Sequence, residues 1–255
     1  MRYMLLMYGP ENGWTDEERK DCMEKSLRIC DELVTQGKFV ATSPLQSVRT
    51  AATVRVREGR PLITDGPFAE TTEQLGGYFV LELADLDEAI AVASRLPPTT
   101  KGTAEIRPIL ALDGLPPARS LHVGSSGPNV TPFMLLCYDN EAAWQAAGPA
   151  ARREAMSQAA ALCQRLRETG QYLIASPLHP AATATCVRIR NGKREITDGP
   201  FAETHEVLGG FYLILAESRD AALQVASQHP GAGRGAVEVR PLFDFSALRK
   251  SIAIS

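Results

Sequence analysis

Residues 63–77 read ITDGPFAETTEQLGG, and residues 196–210 read ITDGPFAETHEVLGG, identical at thirteen of fifteen positions across a spacing of 133. The match runs outward from there. At the same spacing Ser43-Pro44-Leu45 returns as Ser176-Pro177-Leu178, Val54-Arg55-Val56-Arg57 as Val187-Arg188-Ile189-Arg190, and Glu105-Ile106-Arg107-Pro108 as Glu238-Val239-Arg240-Pro241. Near the amino end the spacing is 130: YMLLMY at 3–8 answers FMLLCY at 133–138, and Trp14 answers Trp144. The second copy has therefore gained three residues in its first helical region, which implies a surface loop or a helix start there. A period this long exceeds that of stacked repeat modules, so each copy is a complete folding unit. The 255 residues, 44% of them hydrophobic, supply enough material for two cores.

Both copies carry the same order of elements. Residues 3–8 form a short apolar and aromatic run closed by Gly9-Pro10, the pattern of a buried strand. Thr15 or Asp16 caps the helix that follows, in which Met23, Leu27, Cys30 and Val34 draw one apolar stripe as far as Gly37. Ala155, Ala159, Leu162 and Leu166 do the same before Gly170. A strand at 39–42, a hairpin over 51–64, a strand at 77–83, a helix at 86–96 and a strand at 105–109 complete the copy. This is a ferredoxin-like βαββαβ repeat with an inserted hairpin. Helices cover one face of such a sheet and leave the other bare, so two copies bury the bare faces against each other, in the manner of a dimeric α+β barrel fused into one chain. The expected boundaries are 1–110 and 132–245 for the repeats, 111–131 for a Gly-, Pro- and Ser-rich linker, and 246–255 for a tail.

Composition excludes several classes of function. With a net charge of −3 and basic residues scattered among acids, the chain offers no nucleic-acid footprint. Cys22, Cys30, Cys137, Cys163 and Cys186 lack CxxC spacing and read as buried small hydrophobes in a reducing compartment. No HxxxH, HxH or Cys/His cluster points to a metal, and no GxGxxG or GxxxxGK[ST] motif points to a nucleotide cofactor, so none of either is expected. The apolar run at the amino end is too short for a signal peptide and recurs internally as a strand. No segment reaches membrane-spanning length. The Leu-Gly-Gly triplets at 75–77 and 208–210 suit a bulge or a tight strand entry.

The motif 65–71, DGPFAET, its copy at 198–204, the following Leu-Gly-Gly and aromatic strand, and the Glu-Val-Arg-Pro ending resemble the DGPF branch of the YCII-related proteins over nearly all of both repeats. That resemblance implies a dimeric α+β barrel, here as an intramolecular pseudo-dimer, in a bacterial, cytoplasmic protein. It also implies a functional link to an extracytoplasmic-function sigma factor, beside whose genes many such proteins are encoded. A His-Asp pair in a cleft at the sheet interface has been proposed for the YciI-like branch. The first copy contains no histidine, so Asp65 has no such partner within its own repeat.

Asp65 and Asp198 are the candidate acid/base residues, either as strand-end carboxylates at the rim of an inter-repeat cleft or as acceptors within their own Asp-Gly-Pro turns. His205, which replaces Thr72, stands beside Asp198 and Glu203 as a candidate proton carrier. Arg55 and Arg188, alternating with apolar residues on their strands, are candidate holders of a small anionic ligand, with Glu70 and Glu203 on the opposite loop wall. The alternatives are a solvated sheet face for the arginines and surface ion pairing for the glutamates. Arg107, Arg240, Tyr8 and Tyr138 carry the same ambiguity between site and packing. The sequence thus supports a small-ligand-binding, regulatory or stress-linked protein. Its alternative is a cofactor-free lyase, isomerase or hydrolase working through the motif aspartates. Histidines near the motif and at His179 and His229 occur in copy two alone, so any activity is expected to lean on that copy.

Overall fold

Each repeat is built around a central strand covered on both faces. In the computed structural model, which describes residues 1–69, 72–119, 130–202 and 206–253, residues 3–7 of β1 (Arg2–Gly9) and 133–137 of β7 (Thr131–Asn140) are buried without a break. Around β1 the first repeat adds α1 (Asp16–Thr35), β2 (Phe39–Pro44), β3 (Ala52–Arg57), β4 (Arg60–Asp65), β5 (Gln74–Glu82), α2 (Leu86–Arg95) and β6 (Thr103–Pro108). Around β7 the second adds α3 (Glu141–Glu168), β8 (Tyr172–Pro177), β9 (Thr185–Arg190), β10 (Lys193–Asp198), β11 (Glu206–Ala216), α4 (Arg219–Ser227) and β12 (Ala236–Pro241). The tail contains a further helix, α5 (Ser246–Ala253).

The two sheets face each other with the helices outside, as the bare sheet faces require. Met4, Leu6, Tyr78 and Val80 of one sheet share a core with Met134, Leu136, Phe211 and Leu213 of the other. Separate clusters fill the space between each sheet and its own helices. This is the fused dimeric α+β barrel of two ferredoxin-like repeats.

One feature differs from a simple pairing of self-contained units: the inserted hairpins are exchanged. The sheets run β10-β9-β6-β1-β5-β2 and β4-β3-β12-β7-β11-β8. Hairpin β3–β4 of the first repeat therefore pairs with β12 of the second, Val54 opposite Val237 and Thr53 opposite Glu238. Hairpin β9–β10 pairs with β6 in return, Val187 opposite Ala104 and Cys186 opposite Glu105. Each repeat thus completes the sheet of the other, which ties the halves together by backbone hydrogen bonds as well as by apolar contact.

Local sequence accounts for the joints. Glu58-Gly59 and Asn191-Gly192 all have positive φ, the two-residue turn that matches strand twist. The pairing of β1 with β5 shifts register between Met7 and Tyr8, and that of β11 with β7 between Leu208 and Gly210, so Leu-Gly-Gly does form a bulge. Thr15 and Glu18 form a capping box at the start of α1. The three-residue gain of the second copy is absorbed in α3, which breaks at Gly148 (φ 82°) before Pro149 and so presents a separate first turn carrying Trp144. The described first part of the linker, 111–119, packs on the second repeat: the Tyr172 hydroxyl donates to the Pro116 carbonyl at 3.1 Å, and the Arg119 amide to the Leu173 carbonyl at 2.7 Å. Arg249 of α5 reaches Asp31 of α1 at 2.6 Å.

Candidate functional site

The exchanged hairpins deliver each DGPF loop to the opposite repeat. Gly66 (φ 102°) and Gly199 (φ 96°) turn the chain out of the edge strands. Phe68 then stacks on Tyr138 with ring centroids 4.2 Å apart, and Phe201 stacks on Tyr8 at 4.5 Å. The Phe68 amide donates to Glu238 Oε2 at 2.8 Å, and the Phe201 amide to Glu105 Oε2 at 2.8 Å. The other oxygen of each glutamate accepts from an arginine two residues on: Arg240 Nη1 to Glu238 at 3.1 Å, Arg107 Nη1 to Glu105 at 3.2 Å. All four charged side chains are at most 5% exposed. The arginines also donate to carbonyls, Arg107 to those of His179 and Leu208 and Arg240 to those of Gln46 and Leu75, while Nε of each is buried without a hydrogen-bond partner among the described residues. A space of about 80 Å³ remains among these groups near the pseudo-two-fold axis. Burial holds the Tyr8 and Tyr138 hydroxyls well above their usual pKa, so both stay neutral.

The motif aspartates lie outside this cluster. Asp65 ends β4 on the surface, its side chain 85% exposed, and accepts from Arg219 Nη2 at 2.5 Å. Asp198 is exposed at the end of β10, and Leu86 occupies the position that matches Arg219. Arg55 does reach its motif loop, with its guanidinium 5.3 Å from the Phe68 ring and 3.2 Å from Glu206. Arg188 lies 6.0 Å from the Phe201 ring and donates through Nε to Thr103 Oγ1 at 2.7 Å. The arginines therefore sit on the phenylalanines of the motif rather than on its aspartates. Glu70, Glu203 and His205 lie outside the described residues.

A roomier cavity, about 490 Å³, opens in the second repeat between α3 and the ends of β7, β8 and β11. That volume suits a small organic ligand. Leu112 and Leu115 of the linker, Met156 and Pro149 of α3 and the ring of Tyr212 give it apolar walls, and Asp139, Trp144, Arg152, His179 and His229 supply polar groups. Asp139 Oδ1 accepts from Trp144 Nε1 at 3.0 Å. Burial raises the Asp139 carboxyl above the ordinary range, against the opposing pull of the Trp144 hydrogen bond and of Arg152. His229 Nδ1 accepts the Gly231 amide at 3.1 Å, which leaves the ring proton on Nε2, 3.6 Å from Cys137 Sγ. Burial pulls His229 down to about 4, so the ring is neutral at ordinary pH. The same burial pushes the Cys137 thiol well up, which makes it a packing group rather than a nucleophile.

Two glycines make room for this pair. A Cβ on Gly209 would lie 2.0 Å from Asp139 Oδ2, and one on Gly231 would lie 2.9 Å from His229 Nδ1 and 3.4 Å from Asp139 Oδ1. The matching positions of the first repeat are Gly9 for Asp139, Leu96 for His229 and Met7 for Cys137. The tryptophans correspond but differ in use: Trp14 lies under Lys101 at 4.8 Å and Trp144 under Arg234 at 5.0 Å, yet only Trp144 has a carboxyl at the Asp139 position to bond. His179 and His229 are peculiar to copy two, and so is Asp139, which is not part of the repeated motif. Aligning the copies and looking for new titratable residues, instead of preserved ones, would have found it.

The YCII-related domain model matches the chain twice, at residues 1–113 and 131–246. An uncharacterized protein of Rhizobium meliloti (strain 1021) is 36% identical over 115 residues, 43% of this chain and 92% of that protein, so one repeat accounts for nearly all of the relative. A crystal structure provisionally designated a chlorite dismutase matches over 98% of both chains at 11% identity with a TM-score of 0.43.

Proposed function

Since the chain belongs to the YCII-related domain family through both of its repeats, we propose that it is a small-molecule-binding protein whose ligand occupies the second-repeat cavity and exchanges a proton with Asp139. The observation that carries this reading is the contrast between copies: a half-buried carboxyl with a raised pKa, a neutral histidine and an open cavity where the first repeat has Gly9 and Leu96. A half-buried acid held by an indole N–H, with its pKa raised, is suited to donating a hydrogen bond to an acidic ligand or to taking up a proton from a carbon or oxygen acid. The apolar walls favour a compact organic group, and Arg152 at the mouth favours a ligand with an anionic end. A cofactor-free enzyme is the second reading. It uses the same carboxyl and requires only that the bound molecule contain a bond that a single acid/base can labilise.

The test is calorimetry with a panel of small carboxylic acids and their amide isosteres against wild type, Asp139→Asn, Asp65→Asn and Asp198→Asn. Binding to wild type that weakens tenfold or more in Asp139→Asn, and is unchanged in the motif variants, supports the assignment. Binding that survives Asp139→Asn but fails in Asp198→Asn returns the site to the motif loop. Affinity for an acid is expected to fall as pH rises through the raised Asp139 pKa, because the ionised carboxylate repels an anion.

A further inference from the structure

The two exchanged hairpins end in the two outermost strands β4 and β10, and both strands are exposed along their whole length. An exposed edge is a template for further pairing unless something blocks it. The two-residue turns fix which backbone groups face outward. Arg57 and Arg60 flank the first turn as a hydrogen-bonded pair, so the groups of Pro61, Ile63 and Asp65 point away from β3. By the same register those of Arg194, Ile196 and Asp198 point away from β9.

The edges then differ. On β4 the first outward position is Pro61, which has no N–H to offer, and Asp65 is engaged by Arg219. On β10 the corresponding residue, Arg194, keeps its N–H, and neither Arg194 nor Asp198 forms an ion pair among the described residues. Ile196, between them, is 46% exposed, and Leu86, in the place of Arg219, is 38% exposed.

We propose that β10 pairs with β10 of a second copy of this chain, joining two six-stranded sheets into one across a two-fold axis at Ile196. In that antiparallel register the outward-facing residues meet each other, Arg194 of each copy opposite Asp198 of its mate and Ile196 opposite Ile196, while Glu195 falls beside Thr197 in the intervening pair. Opposite charges meet at both ends and an apolar contact lies at the centre, whereas the nearest shift in either direction that keeps the hydrogen bonds brings Ile196 against Arg194 or Asp198. The same register on β4 would set Pro61 against Asp65 and lose two hydrogen bonds, so this edge is closed. The occupant is thus a second copy, held in an isologous contact.

Sedimentation equilibrium over a concentration series tests this. The wild type is expected to shift from 27.6 kDa toward twice that mass as concentration rises. Arg194→Pro, which gives β10 the guard that β4 already carries, is expected to hold the monomer with unchanged circular dichroism. Asp198→Arg should do the same through like charges, and the exchange Arg194→Asp with Asp198→Arg should restore the dimer. A wild type that stays monomeric, a dimer indifferent to both single variants, or an exchange that fails to restore it overturns the proposal.

Discussion

The two repeats share a motif of thirteen identical residues in fifteen, yet they differ where the cavity lies. What they share builds the frame: DGPF loops stacked on Tyr8 and Tyr138, buried Glu–Arg pairs that receive the loop amides, and glycines at the bulges. What differs is chemical: Asp139 for Gly9, His229 for Leu96, and a broken α3 for the uninterrupted α1. After duplication one copy can keep the fold while the other diverges, and here the titratable groups stand in the divergent positions.

The largest expected effect probes the shared part. Glu238→Ala strands the buried Arg240 and frees the Phe68 amide, and Glu105→Ala does the same to Arg107 and Phe201. Each should cost about 3–5 kcal/mol in urea unfolding, because an unpaired charge is left buried. The two costs should be nearly equal, and a large inequality would break the symmetry of the frame.

The next effect separates the copies. His229 has its folded pKa depressed from 6.5 to about 4, so the unfolded chain binds the extra proton and stability is lost as pH falls through that window. The loss is at most about 3 kcal/mol. His229→Leu, which installs the first-copy residue, should flatten the stability curve between pH 6.5 and 4. The matching change Leu96→Val should leave the acid limb as it is.

Asp139 works in the opposite sense. With its folded pKa raised, the native state holds the proton more tightly, and stability falls as pH rises from the unfolded value through the folded one. Asp139→Asn keeps an acceptor for Trp144 and removes that penalty, so thermal stability at neutral pH should rise while ligand affinity falls. A variant that lost both would mark Asp139 as a structural group. The smallest effect belongs to the motif: Asp65→Asn gives up an exposed ion pair worth at most about 1 kcal/mol.

The repeat, the strands and helices within each copy, the face-to-face sheets and the Leu-Gly-Gly bulges were legible in the sequence, because period and turn chemistry specify them, whereas the helix in the tail, α5, was not. The hairpin exchange was not. A hairpin in search of a partner meets TAEIRP in β6 or AVEVRP in β12, and two strands so alike give a sequence reader no ground for choosing between them. The motif drew attention to Asp65 and Asp198 because it is repeated, but repetition tracks what the frame needs. Asp139 stands out in the sequence only as a titratable residue that replaces Gly9, and its partners, the Trp144 indole and the space beside Gly209, are supplied by the fold.

The most direct test of the central claim is a crystallographic screen in which small carboxylic acids and amides are soaked into the protein. Bound molecules should collect in the second-repeat cavity within hydrogen-bond distance of the Asp139 carboxyl, and the matching place beside Gly9 and Leu96 should stay empty. Molecules gathered at the DGPF loops, or divided equally between the repeats, would contradict it.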